Sequence, residues 1–223
     1  MKYIRARRLL PGWLRRYVYS FEALIEDSVQ ALAARLPDGA RVLDAGAGEG
    51  QYSAHFLRQR YTGVDLGIGD AGWNYQGLDA VADLCALPFA AGAFDAALNI
   101  VTLEHLRQPA RALEELARVL KPGGVLLLVA PLEWEVHQAP HDYYRYTRHG
   151  LDYLLRQAGL EVREMTAAGG LFRLLSRRLF NACQLAPWLL PVFGPLALIL
   201  PLLDGLDRRR DFTLGYRCIA HKA

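Results

Sequence analysis

An apolar strand runs directly into three glycines in the segment Arg41-Val42-Leu43-Asp44-Ala45-Gly46-Ala47-Gly48-Glu49-Gly50. Glycine lets the backbone turn sharply and approach a ligand closely, and a helix expected over 52–58 presents unpaired amide groups to that ligand. Ligands of open parallel sheets bind beyond the carboxyl ends of the strands. We therefore expect a binding site at this loop.

The residues around the glycines argue against two other classes of nucleotide-binding loop. The dinucleotide fingerprint requires a third glycine or alanine where this chain has Gln51, and an acid such as Asp44 is not part of it. A P-loop requires Gly-Lys-Ser or Gly-Lys-Thr, and neither follows these glycines.

Strand-like and helix-like segments alternate on both sides of the loop. Apolar spacing predicts an amphipathic helix over 17–36, helices over 52–58 and 109–120, and a helix that Thr147 caps and Gly159 ends. Strands are expected over 41–45, 61–65, 94–100, 125–130, 160–163 and 212–220. This alternation indicates an α/β fold with a parallel sheet flanked by helices.

Taken with the motifs that follow it, the glycine segment resembles motif I of class I S-adenosylmethionine-dependent methyltransferases. Asp65 ends the second strand about twenty residues later, where an acid can accept hydrogen bonds from both ribose hydroxyls. The run Val81-Ala82-Asp83-Leu84, Leu87-Pro88-Phe89 and Phe94-Asp95 is similar to the "D-L-x-x-L-P-F … F-D" signature of small-molecule members. The stretches 103–106 and 118–124 resemble later motifs. The likeness covers roughly 38–165 and the final strand.

The resemblance implies a Rossmann-like fold, in which a mostly parallel seven-stranded sheet is flanked by helices, and S-adenosylmethionine as the cofactor. It implies a methyltransferase domain over 38–223, with an apolar insertion at about 171–207, behind a basic amphipathic helical extension over 1–37. In the family, the acid matching Asp83 meets the adenine amino group and the next residue supplies a backbone contact. The cofactor-binding residues expected from it are Asp44, Ala45, Gly46, Gly48, Gly50, Asp65, Leu66, Asp83, Leu84 and Asn99.

Methyl transfer from this cofactor is an in-line displacement, and alignment alone can contribute about 7 to 11 kcal/mol. A general base is optional for an amine acceptor and useful for a hydroxyl. The candidates are His105, His141 and Tyr144. His105 can instead bind backbone and close its turn, and the aromatic residues of 137–147 can simply pack their loop. No metal-binding residue is predicted.

Charge and cysteine content favour a cytoplasmic protein. The net charge is only +3, but basic residues cluster at the N-terminus, at Arg173, Arg177 and Arg178, and at 208–210. The three cysteines are widely separated in the sequence, so they indicate neither a disulfide framework nor a C-x-x-C metal-binding pair. The basic start lacks the apolar run of a secretory signal, so we expect no export.

The segment 185–203 carries no charge and contains four prolines. Prolines remove backbone donors, which makes a straight membrane span doubtful, whereas flanking arginines and Trp188 suit a segment embedded in the membrane interface. A buried lid, a dimer contact and a re-entrant hairpin remain open. Interfacial contact predicts a peripheral protein on the inner face of the membrane. The resemblance of 141–147 to methylases of cell-surface glycan assembly likewise favours a lipid-linked or sugar acceptor.

Three alternatives concern the acceptor and the function. Nucleic acid is disfavoured, because Asn99-Ile100-Val101-Thr102 departs from the Asn-Pro-Pro-Tyr type of motif and no Pro-Cys pair supplies a cytosine-attacking thiol. A soluble methyltransferase for a small metabolite or quinone would use the apolar segment as a substrate lid. A non-enzymatic scaffold is disfavoured, because a chain that had abandoned the cofactor would not need all three acids Asp44, Asp65 and Asp83. The sequence leaves the oligomeric state open.

Overall fold

A seven-stranded sheet forms the centre of the protein in the computed structural model, which describes residues 12–69 and 72–223. The strand order is β3-β2-β1-β4-β5-β7-β6. All neighbouring strands are parallel except β7, which lies antiparallel between β5 and β6. The predicted Rossmann-like, mostly parallel sheet is confirmed. The strands are β1 (Arg41–Ala45), β2 (Arg60–Asp65), β3 (Ala80–Val81), β4 (Phe94–Ile100), β5 (Leu120–Pro131), β6 (Leu160–Ala167) and β7 (Gly215–Lys222).

Helices cover both faces of the sheet and bury an apolar layer on each. They are α1 (Gly12–Val18), α2 (Ser20–Arg35), α3 (Pro109–Val119), α4 (Arg148–Gln157), α5 (Leu171–Leu185) and α6 (Leu190–Ile199). Leucines of α3 and α4 pack on one face, whereas Phe21, Ile25 and Val29 of α2 and Leu174 of α5 pack on the other. The N-terminal helix α2 thus belongs to the same core as the sheet. The predicted extension 1–37 is described only from residue 12.

Two predicted helices differ from the structure. The helix over 52–58 is a single 3-10 turn, Ser53–His55, because Leu57 is 86% exposed and Phe56 is the one fully buried side chain of the segment. So short a helix gains too little burial to offset its nucleation cost. The helix over 17–36 is interrupted at Tyr19, whose backbone leaves helical geometry between α1 and α2. Thr147 caps α4 as predicted, because its Oγ1 accepts a hydrogen bond from the Gly150 amide at 3.1 Å.

The apolar insertion (about 171–207) folds as α5, a 3-10 turn at Pro187–Leu189, α6 and a 3-10 helix at Leu200–Leu206. Prolines open each of the three short helical pieces and one lies inside α6, which explains why the segment is not one straight helix. Residues Pro187–Leu206 are long and apolar enough to cross a bilayer, with a mean hydropathy of 1.9, yet only 22% of the segment is buried. Most of this apolar surface therefore faces outward.

Candidate functional site

A cavity of about 770 Å³ lies beyond the carboxyl ends of β1, β2 and β4, and helices α1 and α2 close one side of it. This volume is within the usual range for small-molecule and cofactor sites. Its walls combine the glycine loop, acids at the strand ends, aromatic rings and two histidines. The lining residues used below are Glu22, Gly46, Gly48, Asp65, Leu66, Trp73, Asp83, Leu84, Val101, Thr102, His105, Trp134 and His141.

The glycine loop passes so close to its neighbours that a side chain would not fit. A Cβ on Gly46 would lie 2.3 Å from the Thr102 methyl group, and the φ angle of Gly46 is +93°. Gly48 has a φ of +55°, and a Cβ there would lie 3.0 Å from the Trp73 ring. Only glycine adopts such angles at little cost. Val101, a β-branched residue, also has a positive φ of 51° where it lines the cavity.

Two of the predicted acids face the cavity and are held by backbone amides. Asp65 accepts hydrogen bonds from the Gly48 amide at 3.0 Å and the Gly67 amide at 2.8 Å, which ties the second strand to the glycine loop. Asp83 accepts one from the Cys85 amide at 2.8 Å. The structure thus brings these acids together with Gly46, Gly48, Leu66 and Leu84, as the sequence predicts.

The other predicted cofactor residues support the loop from behind and do not line the cavity. Asp44 is buried, accepts a hydrogen bond from the Tyr61 hydroxyl at 2.6 Å, and has its pKa raised to about 7 by burial. The Asn99 amide donates to the Ala45 carbonyl at 2.9 Å. The Gly50 amide donates to the Ala47 carbonyl at 2.8 Å, which closes the turn. Their binding roles stay predictions, and the contacts seen here are structural.

Several lining residues were not anticipated. Trp73 lies beside Gly48, and its only signal in the sequence is a tryptophan in the glycine-rich stretch 67–77. Glu49 accepts a hydrogen bond from the Asn74 amide at 2.9 Å and so fastens that stretch over the loop. Glu22 reaches the cavity from α2, which the sequence suggested only as an extension.

The two predicted histidines, His105 and His141, also line the cavity. His105 Nδ1 donates to the His141 carbonyl at 2.7 Å, so the backbone-binding role considered for His105 is present. His141 Nδ1 lies 3.1 Å from the Tyr143 hydroxyl. Tyr144 is 40% exposed, does not line the cavity, and donates its hydroxyl to the Arg107 carbonyl at 3.2 Å. Tyr146 is buried and donates to the Leu103 carbonyl at 2.9 Å, which is a packing role.

An ion pair holds the loop that carries His137 and His141. Arg145 contacts both oxygens of Asp142, at 2.6 and 2.8 Å, and this lowers the pKa of Asp142 to about 2. Asp142 also accepts from the His137 amide at 2.9 Å. Burial alone would lower the pKa of His137, but the nearby Glu104 carboxylate and the Glu135 carbonyl raise it. Glu104, which was not predicted as a site residue, is fully buried beside both histidines.

These residues fit an adenosyl cofactor. The two glycines leave space that a Cβ would fill, and Asp65 and Asp83 offer acceptors suited to ribose hydroxyls and to an adenine amino group. Trp73 offers an aromatic face at the same end. His105 and His141 form another part of the cavity wall, which is here called the acceptor end.

Comparison with known proteins agrees with a cavity that fits an adenosyl cofactor. The family described as methyltransferase domain matches residues 15–165, more than half of the chain. An uncharacterized methyltransferase of Mycobacterium sp. (strain KMS) is 35% identical over 113 residues, which cover 48% of this chain and 44% of the relative. The chain therefore spans less than half the length of that relative.

Two further relatives differ in their acceptors. A ubiquinone biosynthesis O-methyltransferase of Nitrosococcus oceani is 28% identical over 158 residues, covering 57% of this chain and 66% of the relative. A tRNA (carboxymethyluridine(34)-5-O)-methyltransferase of Arabidopsis thaliana is 35% identical over 119 residues, covering 49% and 28%. The exclusion of nucleic acid thus stays a prediction.

The fold has solved counterparts. The structure of 1,6-didemethyltoxoflavin-N1-methyltransferase from Burkholderia thailandensis, with S-adenosylhomocysteine bound, superposes with a TM-score of 0.56 at 19% identity. The match covers 100% of this chain and 89% of that one. With the family match and the order of its motifs, the chain belongs to the methyltransferase domain family and has the fold of class I S-adenosylmethionine-dependent methyltransferases.

Proposed function

We propose that this chain transfers the methyl group of S-adenosylmethionine to an oxygen of a lipid or lipid-linked acceptor at the inner face of the cytoplasmic membrane. The observation that carries the proposal is one cavity whose wall contains the glycine loop, the two acids Asp65 and Asp83, and the two histidines His105 and His141. When bound, the cofactor supplies an electrophilic methyl group on a sulfonium.

The residues of the chain bind and align the reactants. Asp65 is held by two backbone amides and would accept hydrogen bonds from two ribose hydroxyls, while Asp83 and Leu84, which line the same cavity, would contact the base. Trp73 packs against Gly48 of the glycine loop and would shield a ligand bound there from water. Methyl transfer removes the positive charge at sulfur. The lowering of the reaction barrier therefore comes mainly from orienting the reactants rather than from stabilising a new ion.

The acceptor end suits a hydroxyl that must lose a proton. His141 lines the cavity and can take a proton there, with Tyr143 in contact with its Nδ1. A hydroxyl gains from such a base more than an amine does. The relative named as a ubiquinone biosynthesis O-methyltransferase is consistent with an oxygen acceptor.

The apolar insertion supports an acceptor that is anchored in a membrane. Its outer surface exposes contiguous large apolar side chains, which on a soluble monomer indicate an interaction site. Trp188 is 77% exposed and Leu202 is 73% exposed. The arginines at 208–210 follow the insertion directly and are exposed, an arrangement suited to anionic headgroups.

The insertion also adjoins the cavity. Arg177 of α5 lies 4.8 Å from the centre of the Trp134 ring and forms an ion pair with Glu22 at 3.0 Å. Both Trp134 and Glu22 line the cavity. The insertion therefore contacts the wall of the cavity through Arg177.

A soluble methyltransferase for quinone-type metabolites is the second candidate. The match to the ubiquinone biosynthesis relative favours it, since the chain covers 66% of that protein. In this case the exposed segment would fold over the acceptor and would not contact a bilayer.

The cofactor is tested by calorimetric titration with S-adenosylhomocysteine and, separately, with NAD. We expect binding of the first alone, and a loss of at least about tenfold in affinity for Gly46→Ala, because its Cβ would displace Thr102. Gly39→Ala is the matched control, since Gly39 has a φ of +76° with open space around it. No binding by the wild-type chain, or equal affinity of the two variants, would overturn the assignment of this cavity.

The acceptor is tested with labelled methyl donor and two kinds of acceptor. We expect label in the lipid phase when bacterial polar lipids and lipid-linked sugars are offered in vesicles. Transfer only to water-soluble quinols, with no pelleting on vesicles, would favour the second candidate and contradict the membrane-anchored acceptor.

A further inference from the structure

We infer that Glu104, His105 and His137 form a binding site for a divalent transition-metal ion at the acceptor end of the cavity. The three side chains each offer one ligand atom, and these atoms all lie within 4.8 Å of one another. The site follows from the geometry alone. Its use in acting on the acceptor rests on the proposed function.

Glu104 is the most deeply buried side chain of the three. Its side chain is 0% exposed, and among the described residues neither of its carboxylate oxygens has a hydrogen-bond partner. An unpaired carboxylate in a buried position is costly, so proteins pair such groups or use them to coordinate metals. The nearest polar atoms to Oε1 are His137 Nε2 at 3.7 Å and His105 Nε2 at 3.8 Å, both too distant for hydrogen bonds.

The two imidazoles present lone pairs to this carboxylate. His105 Nδ1 lies 2.7 Å from the His141 carbonyl and His137 Nδ1 lies 3.1 Å from the Glu135 carbonyl. A carbonyl only accepts, so each Nδ1 carries a proton, and in the neutral form of each ring Nε2 has a lone pair that can coordinate a metal ion. Both Nε2 atoms are buried and have no hydrogen-bond partner among the described residues. Metal-binding histidines commonly have this second hydrogen bond to a carbonyl.

Three acceptor atoms converging on one point are an unfavourable arrangement unless a cation lies between them. Metal–ligand bonds of about 2.0 to 2.2 Å place donor atoms roughly 3 to 3.5 Å apart, so the side chains need only a modest approach. Two histidines and one carboxylate favour Zn²⁺, Fe²⁺ or Co²⁺ over Mg²⁺ or Ca²⁺. His105 also lines the cavity, so an ion held here would lie beside the cavity wall, where a free coordination position could polarise an acceptor oxygen.

The test uses the full chain, first dialysed against chelator and then titrated with Zn²⁺ by calorimetry and with Co²⁺ by visible absorption. We expect one ion per chain and a rise in the thermal midpoint with Zn²⁺. The variants His137→Gln and Glu104→Gln should bind at least about tenfold more weakly. His149→Gln, at an exposed histidine outside the cluster, is the matched control and should bind like the wild type.

Stability in chelator gives a second readout that does not depend on any ligand. Without metal, Glu104→Gln should have a higher thermal midpoint than the wild type, because it removes the buried charge, and this gain should vanish with saturating Zn²⁺. Absence of Zn²⁺ binding by the wild type, or equal binding by all variants, would overturn the site in favour of an imidazolium–carboxylate cluster. S-adenosylhomocysteine binding, measured on the same samples, separates that outcome from failure of the proposed function.

Discussion

At the residue scale, Asp44 links the glycine loop to the stability of the sheet. Asp44 lies in β1 just before the loop, but its side chain is buried and accepts a hydrogen bond from the Tyr61 hydroxyl. Burial raises the pKa of Asp44 from an ordinary 3.8 to about 7. The folded chain therefore holds a proton that the unfolded chain releases near pH 4. This contribution to stability is complete below pH 4 and is lost as the pH rises through about 7.

The pH dependence of the Asp44→Asn variant tests this. Asparagine stays neutral, so relative to the wild type the variant should gain about 3 kcal/mol in the free energy of unfolding between pH 5 and pH 8. Urea denaturation at several pH values measures it. Asp95→Asn is the control: the Lys121 partner outweighs burial and lowers the pKa of Asp95, so the difference from wild type should be flat over this range. A flat difference for Asp44→Asn as well would contradict the raised pKa.

The site residues that could be predicted are those whose position follows from strand order. Gly46, Gly48, Asp65 and Asp83 are close together because the carboxyl ends of adjacent parallel strands meet at one edge of the sheet. Glu104 was missed because its isolation depends on His137, which arrives from a loop beyond β5. No local pattern records such a long-range contact.

For the helices and strands, the spacing of apolar residues predicted the type of most elements. It did not predict the positions at which tertiary contacts interrupt an element. The spacing of apolar residues over 17–36 fits one helix, yet the helix is interrupted at Tyr19. The Tyr19 ring is buried and lies 5.1 Å from the Arg177 guanidinium of α5, about 160 residues later in the chain. The insertion that supplies Arg177 was predicted as a segment, but its packing on α2 was not.

Arg177 should be the main electrostatic link between the apolar insertion and the rest of the fold. It is only 3% exposed, pairs with Glu22 of α2 and contacts two aromatic rings. Arg177→Met keeps much of the packing but leaves Glu22 without that partner, so the free energy of unfolding should fall by about 3 kcal/mol, measured by urea denaturation. The neighbouring Arg178→Met breaks a partly exposed pair with Glu135 and should cost about 1 kcal/mol or less. Equal losses for the two variants would mean that the buried ion pair is not the link.

At the scale of the whole molecule, the chain is divided into a conventional α/β core and one outward-facing apolar surface. The core follows from motif order and strand pairing, and was predictable. The outward orientation of Pro187–Leu206 was not, because an uncharged stretch with prolines fits a buried lid as well as an exposed surface. The exposed arginines at 208–210, which follow this surface, allow its contact with lipid to be tested.

Vesicle binding should depend on the arginines at 208–210 more than on total charge. Each basic residue near an anionic surface contributes about 1 kcal/mol, so replacing all three with glutamine should weaken binding to anionic vesicles by about 100-fold at low salt. Binding to neutral phosphatidylcholine vesicles should not change, and the difference should shrink as salt screens the charges.

The control variant removes the same charge elsewhere. Arg111, Arg156 and Arg163 have side chains that are 52%, 60% and 58% exposed on elements outside the insertion, and replacing them with glutamine should leave vesicle binding nearly intact. Co-sedimentation over a range of salt concentrations compares the two triple variants. Equal weakening of vesicle binding by the two variants would mean that net charge alone attracts the chain to lipid. This result would contradict the proposal that the insertion is the membrane-facing surface. Weakening confined to the 208–210 variant would place the insertion at the bilayer surface.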